Sequence, residues 1–298
     1  MKSENKCYFS SINSSLVNTV KRYRTTYKNY ISCMLNVFLS KYPFTAELKN
    51  GERIVVHNGT EAFFISKGKK SLKYDPTEML LHLSFKEWDI KFFGAEENGD
   101  LFGIYEEELY RYLNVKNKAV IDVGANIGDS SIYFVLMGAK KVISIEPERD
   151  AYNAGVKNIT LNGVEDRIVF INAALSYKDG ITWGEIDKGI GAKFKQSNGG
   201  YMFRTVTIDS LIKDYDIKGN DWVLKLDCEG CEYDSLLSTS YESLRSFAEI
   251  ILEFHNGPFL ILKKLESSGF RVYNIKAGNL ETRFAPKEKF GLMLAVRG

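Results

Sequence analysis

The sequence predicts an α/β protein: a mostly parallel, seven-stranded sheet wound by helices, preceded by a smaller α+β extension. Three observations predict it. Short apolar runs alternate with helical segments after residue 115, the first of these runs leads into a glycine-containing turn, and the chain before residue 100 lacks that alternation. Continuous apolar runs bounded by turns suit strands buried on both faces of a parallel sheet, with helices as the crossovers.

Residues 1–99 are read as the N-terminal extension. Apolar residues follow helical spacing from about 12 to 40, and "RIVVH" and "AFFIS" read as short strands separated by Gly51, Asn58-Gly59 and Gly68. The stretch "YISCMLNVFLSKYPF" (30–44) is too short and too interrupted to span a bilayer. Behind the basic "KRYRTTYK" (21–28) it makes an amphipathic helix that packs on its own domain, with a membrane surface or a partner as the alternative contact.

Residues 100–298 form the main domain. Its seven strands are expected at "AVIDV" (119–123), "VISIE" (142–146), "IVFIN" (168–172), "WVLKLD" (222–227), "EIILEF" (249–254), "FRVYNI" (270–275) and "FGLMLAV" (290–296). Helices between them end where Gly138 and Gly269 can take a left-handed conformation. The connection over 176–207 holds six glycines and reads instead as a hairpin, "GITWGEI" and "GYMFRTVTI" around the polar "KFKQSNGG", placed as a lid. The segment "DLFGIYEEELY" (100–110) is expected to cover the ligand just upstream of the first strand.

Composition narrows the function classes. Forty Lys and Arg against 38 Asp and Glu leave a formal charge of +2, which excludes the strongly basic face of a duplex-DNA binder. Four cysteines in 298 residues fit a reducing, cytoplasmic setting better than a disulfide-rich secreted one.

The turn "VIDVGANIGDSS" (120–131) follows a buried strand and opens a helix. Gly124 and Gly128 let the backbone approach a ligand, and the helix N-terminus favours an anion. Asn126 stands where a dinucleotide fingerprint has its middle glycine, which disfavours a nicotinamide-dependent oxidoreductase. Glu146 ends the next strand, 22 residues after Gly124, where an acid accepts hydrogen bonds from both hydroxyls of a ribose.

In order along the chain stand "DVGANIG" (122–128), "EP" (146–147), "NITLNG" (158–163), "NAALS" (172–176), "TIDSL" (207–211), "LKLDCEGCE" (224–232) and "EFH" (253–255). With these the sequence resembles the FkbM family of S-adenosylmethionine-dependent methyltransferases over roughly residues 100–298. The resemblance implies a Rossmann-like class I methyltransferase fold and an S-adenosylmethionine site at Asp122, Gly124, Asn126, Gly128 and Glu146, with Asp122 facing the ammonium and Asn172 and Ala173 near the adenine. It also implies O-methylation of a saccharide, glycolipid or secondary-metabolite hydroxyl. A tRNA or RNA methyltransferase with the same cofactor half is the alternative.

Asp227, Glu229 and His255 are the catalytic candidates, because the carboxyl ends of adjacent strands bring them to the side where open α/β sheets bind ligands. His255 suits a general base on its intrinsic pKa, and the carboxylates could bind the acceptor or a divalent ion, although no metal ligands are assigned. Cys228 and Cys231 fall where the family carries small or apolar residues. The carboxylates around them disfavour a thiolate, and no second ligand pair is spaced for zinc. No "NPPY" follows the fourth strand, so an exocyclic amine is not the expected acceptor.

Overall fold

The computed structural model describes residues 17–187, 193–196, 199–285 and 288–298. The chain divides into two compact units, one ending at Phe102 and one running from Gly103 to Gly298.

In the first unit, residues 17–26 are helical (α1) and are followed by α2 (Tyr30–Phe38). The helical periodicity expected from 12 to 40 is therefore broken at 27–29, and 12–16 lie outside the described residues. Tyr23, Tyr27 and Cys33 pack into a core with Ala46, Val56 and Ala62, while Ile31, Leu35 and Phe38 are exposed on the other side of α2. β1 (Phe44–Glu47) pairs antiparallel with β2 (Arg53–Val56), and β3 (Leu72–Asp75), β4 (Leu80–Phe85) and β5 (Trp88–Phe92) form an antiparallel three-stranded sheet.

The run "AFFIS" is not a strand: it lies in α3 (Gly59–Ser66), capped by the Asn58 side chain, which accepts from the Glu61 amide. Four apolar residues in a row cannot distinguish the two periods, and the capping residue decides for helix. Among the described residues no helix is long and apolar enough to cross a membrane.

The second unit is built on an eight-stranded sheet. All seven expected strands are present: β6 (Ala119–Val123), β7 (Lys141–Ile145), β8 (Ile168–Ile171), β13 (Trp222–Leu226), β14 (Glu249–Phe254), β15 (Phe270–Lys276) and β17 (Gly291–Arg297). The eighth is the short edge strand β16 (Asn279–Glu281), which extends β15 as a hairpin. The order is β16-β15-β17-β14-β13-β6-β7-β8. Strands β8, β7, β6, β13 and β14 run parallel, and β17 enters antiparallel between β14 and β15.

The chain winds outward from β6 in one direction through β7 and β8, then returns to β13 on the other side of β6. The topological switch point therefore lies between β6 and β13, where open sheets of this kind leave a ligand crevice. The core around it is apolar, with Ile121, Val123, Ile143, Ile145, Leu224, Leu226, Ile250 and Leu252 all buried.

Helices α4 (Asp129–Leu136), α5 (Arg149–Leu161), α6 (Ile208–Asp214), α7 (Cys231–Ser238), α8 (Tyr241–Leu244) and α9 (Phe259–Ser267) lie in the connections, and Gly138 and Gly269 terminate α4 and α9 at positive φ. Between β8 and β13 a separate four-stranded sheet is ordered β11-β10-β12-β9. Its strands are β9 (Ala174–Leu175), β10 (Gly180–Asp187), β11 (Lys193–Gln196) and β12 (Tyr201–Val206). β10 and β12 are antiparallel, and β11, in the stretch expected as a polar tip, adds to the other edge of β10. Residues 188–192 and 197–198 of this excursion lie outside the described residues.

Candidate active site

The turn after β6 is built from left-handed residues: φ is 73° at Gly124, 46° at Asn126 and 82° at Gly128. A Cβ on Gly124 would stand 1.7 Å from the carbonyl oxygen of Asp227. The glycine is thus required first by the close approach of the β6 and β13 strand ends, before any ligand arrives. The amides of Gly124 and Ala125 both donate to the Ile145 carbonyl and tie the turn to β7.

Glu146, one residue beyond β7, is 7% exposed. One of its oxygens accepts from the Asn126 amide at 2.9 Å and the other from the Glu148 amide at 2.8 Å. Burial pushes its carboxyl up to about 7, against the lowering effect of those two amides and of Lys225. Asn172 sits beyond β8 with its side-chain amide donating to the carbonyls of Glu146 and Pro147, and Ala173 beside it is buried.

Asp122 lies behind the turn. Its carboxylate is fully buried and accepts from the hydroxyls of Ser130 and Ser131, each at 2.7 Å, and its other oxygen is 3.1 Å from the Lys225 ammonium. Lys225 in turn donates to the carbonyls of Val123 at 3.1 Å and Gly124 at 2.8 Å. Burial opposes the charge on Lys225, but Asp122, Asp227 and Asp129 outweigh it and raise the ammonium pKa above its ordinary value. The geometry thus gives Asp122 an internal cation and two hydroxyl donors behind the turn.

On the other side of the switch point, Asp227, Glu229 and His255 converge, with one ligand-type atom from each lying within 4.8 Å of the others. Asp227 follows β13 and accepts from the Tyr110 hydroxyl at 3.1 Å. Glu229 has a φ of 58°, uncommon for a residue with a side chain. Glu232, at the start of α7 and fully buried, accepts from the amides of Cys228 at 2.9 Å and Gly230 at 2.8 Å and so fixes this loop.

His255 follows β14 and is 7% exposed. Its Nε2 lies 3.4 Å from Glu229, and its Nδ1 lies 3.3 Å from Glu232 in an alignment too oblique for a full hydrogen bond. Burial disfavours the imidazolium, but the proximity of Glu232 and the charges of Glu229 and Glu253 outweigh burial and raise its pKa.

Cys228 and Cys231 are joined in a disulfide, with Cα atoms 5.5 Å apart. They are therefore not the two separate small side chains that the resemblance implies: the passage from strand end to helix start folds positions three apart into bonding range.

The sequence missed Lys225 and Tyr110. A single lysine inside the apolar run "WVLKL" was the available signal, since the parallel register pairs Lys225 with Asp122. Tyr110 lies at the end of the segment expected to cover the ligand, but its pairing with Asp227 carried no such signal. Within 103–110, Ile104, Tyr105 and Tyr110 are buried, and the Tyr105 hydroxyl donates to the Asp129 carbonyl. Glu107 between them is exposed, and Glu106 and Glu108 are half-buried.

The sheet order, the left-handed turn after β6 and the acidic group after β13 define a Rossmann-like methyltransferase architecture. Residues 122–272, just over half of the chain, match the family model "Methyltransferase FkbM domain". The chain belongs to the FkbM methyltransferase family. Solved structures are similar to it at low identity. A ribosomal protein L11 methylase from Lactobacillus delbrueckii subsp. bulgaricus is 18% identical, with a TM-score of 0.39 over 70% of this chain and 82% of that one. A precorrin-6y C5,15-methyltransferase from Geobacter metallireducens GS-15 is 10% identical, with a TM-score of 0.39 over 65% and 87%. TrmK of M. capricolum, in complex with S-adenosyl-homocysteine, is 13% identical, with a TM-score of 0.38 over 62% and 65%. No curated protein matches the chain.

Proposed function

We propose that this methyltransferase moves the methyl group of S-adenosylmethionine to a hydroxyl of a saccharide, glycolipid or other small metabolite. The observation that carries the reading is the pairing of two acidic edges across the switch point. Glu146 stands on the β7 side of the turn, and Asp227, Glu229 and His255 stand on the β14 side.

The residues fit the nucleoside part of such a donor. Among the described residues each Glu146 oxygen accepts one backbone amide, and a carboxylate has capacity for more, which matches the two adjacent hydroxyls of a ribose. Asn126 and Gly128 shape the turn, and Asn172 and Ala173 border it at the end of β8. Asp122 acts as a positioning residue: through Lys225 and the two serines it holds the turn and the start of α4.

The donor, when bound, supplies an electrophilic methyl on a sulfonium sulfur. Asp227, Glu229 and His255 receive the acceptor and align its oxygen with that methyl, the positioning that such a displacement demands. The oxygen–carbon bond forms as the carbon–sulfur bond breaks, the electron pair stays on the sulfur of the neutral thioether, and a single group, His255 or Asp227, accepts the hydroxyl proton. The loop after β13 is "DCEG", with no proline pair to hold an amide, which supports oxygen over an exocyclic amine as acceptor.

Mass spectrometry of native cell extract incubated with the enzyme and methyl-labelled S-adenosylmethionine tests the reading. Label in a saccharide, glycolipid or small hydroxylated metabolite is expected, and label confined to RNA or protein would overturn it. Transfer undiminished in both His255→Ala and Asp227→Ala would remove these residues from the chemistry.

A further inference from the structure

We propose that Asp227, Glu229 and His255 form a divalent-cation site of the Mg²⁺ or Mn²⁺ class. The three side chains offer two carboxylates and an imidazole whose ligand atoms lie within 4.8 Å of one another. Ligands about 2.1 Å from one octahedral ion stand roughly 3 to 4 Å apart, so modest side-chain rotation closes the set.

Independent support comes from His255 and what stands behind it. The residue is 7% exposed, and its Nδ1 lies against the buried Glu232 carboxylate. The ring is backed on that side by Glu232, whose Oε1 is 3.3 Å from Nδ1, while Nε2 faces Glu229 at 3.4 Å. A carboxylate behind one ring nitrogen, with the other nitrogen aimed at acidic groups, is the support that orients metal-binding histidines.

The surroundings favour a cation by charge as well. Glu232 is fully buried, and two loop amides hold its carboxylate in place beside the two acidic ligands. Lys225, the nearby buried ammonium, bonds Asp122 and two backbone carbonyls and acts on Asp227 only through space. The left-handed backbone at Glu229 and the Tyr110 hydroxyl on Asp227 fix the other two ligands.

Three protein ligands on a six-coordinate ion leave positions for two oxygens of an acceptor. This part deepens the proposed O-methylation and rests on it: the acceptor class becomes one with adjacent oxygens, such as a sugar diol, the cation lowers the pKa of the attacked hydroxyl, and its proton leaves to the ligand carboxylate oxygen that the cation does not hold.

The test is a titration of full-length protein with Mn²⁺, following the free-ion electron paramagnetic resonance signal without donor or acceptor. One tightly bound Mn²⁺ per chain is expected, weakened at least tenfold in Glu229→Gln and in His255→Ala. It should survive in His82→Ala, which disrupts the separate Asp75, Glu78 and His82 group of the first unit. S-adenosylhomocysteine binding by Glu229→Gln reports separately on the fold and the donor site. Absence of stoichiometric Mn²⁺ binding by wild-type protein, or binding lost only in His82→Ala, overturns the site. Mn²⁺ bound at full strength by Glu229→Gln that still binds S-adenosylhomocysteine overturns it equally. Failure to methylate any hydroxyl, with Mn²⁺ binding intact, would sink the proposed reaction and leave the site standing.

Discussion

Glu146 provides the sharpest perturbation. Burial lifts its carboxyl from the ordinary 4.5 to about 7 in the folded chain. Between those values the folded state holds a proton that the unfolded state has released. Stability therefore falls as pH rises from 4.5 towards 7 and levels off above. At 1.36 kcal/mol per pH unit the loss across the window is about 3 kcal/mol. Glu146→Gln cannot titrate, so its stability relative to wild type should rise by about that amount between pH 4.5 and 7.5, measured by chemical denaturation at each pH.

Ligand binding adds a second reading. If ribose hydroxyls donate to the ionised carboxylate, binding must expel the proton. The dissociation constant for S-adenosylhomocysteine should then rise roughly 30-fold from pH 8 to 5.5, with proton release on binding near pH 6.5. In Glu146→Gln the affinity at pH 8 should drop about tenfold and lose this pH dependence. Parallel stability curves for the two proteins, with a pH-independent dissociation constant for wild type, would refute both the burial argument and the ribose assignment.

Other variants test the scaffold. Gly124→Ala places a methyl 1.7 Å from the Asp227 carbonyl at a φ of 73° and should lower the melting temperature by more than about 10 °C or prevent folding. Gly128→Ala meets its nearest atom at an ordinary 3.5 Å and bears only the left-handed penalty of about 1 kcal/mol, a fall of roughly 2 to 4 °C in the same melts. Lys225→Met strands the buried Asp122 charge and should cost about 3 to 5 kcal/mol in urea denaturation. Adding Asp122→Asn should restore most of that, and equal losses in the single and double variants would contradict the pairing.

The parallel core was legible because strands buried on both faces leave uninterrupted apolar runs, and all seven runs became strands. The edge strand β16 was not, since "NLE" has three exposed residues and a single leucine in place of an apolar run. "AFFIS" misled because its helix is set by Asn58 outside the run. In the site, Gly124, Glu146, Asp227 and His255 could be placed from strand ends alone. Which way each side chain faces could not. Asp122 turns into the core because Lys225 on the neighbouring strand meets it in register, a pairing fixed only by tertiary structure. The Tyr110 bond to Asp227 spans 117 residues and leaves no trace in local pattern.

A crystal structure of the protein with S-adenosylhomocysteine tests the central claim most directly. The account predicts the nucleoside over the Gly124–Gly128 turn, both ribose hydroxyls within hydrogen-bonding distance of Glu146, and the thioether sulfur directed towards Asp227 and His255. A nucleoside bound away from Glu146, or a sulfur facing away from the Asp227, Glu229 and His255 group, would contradict it.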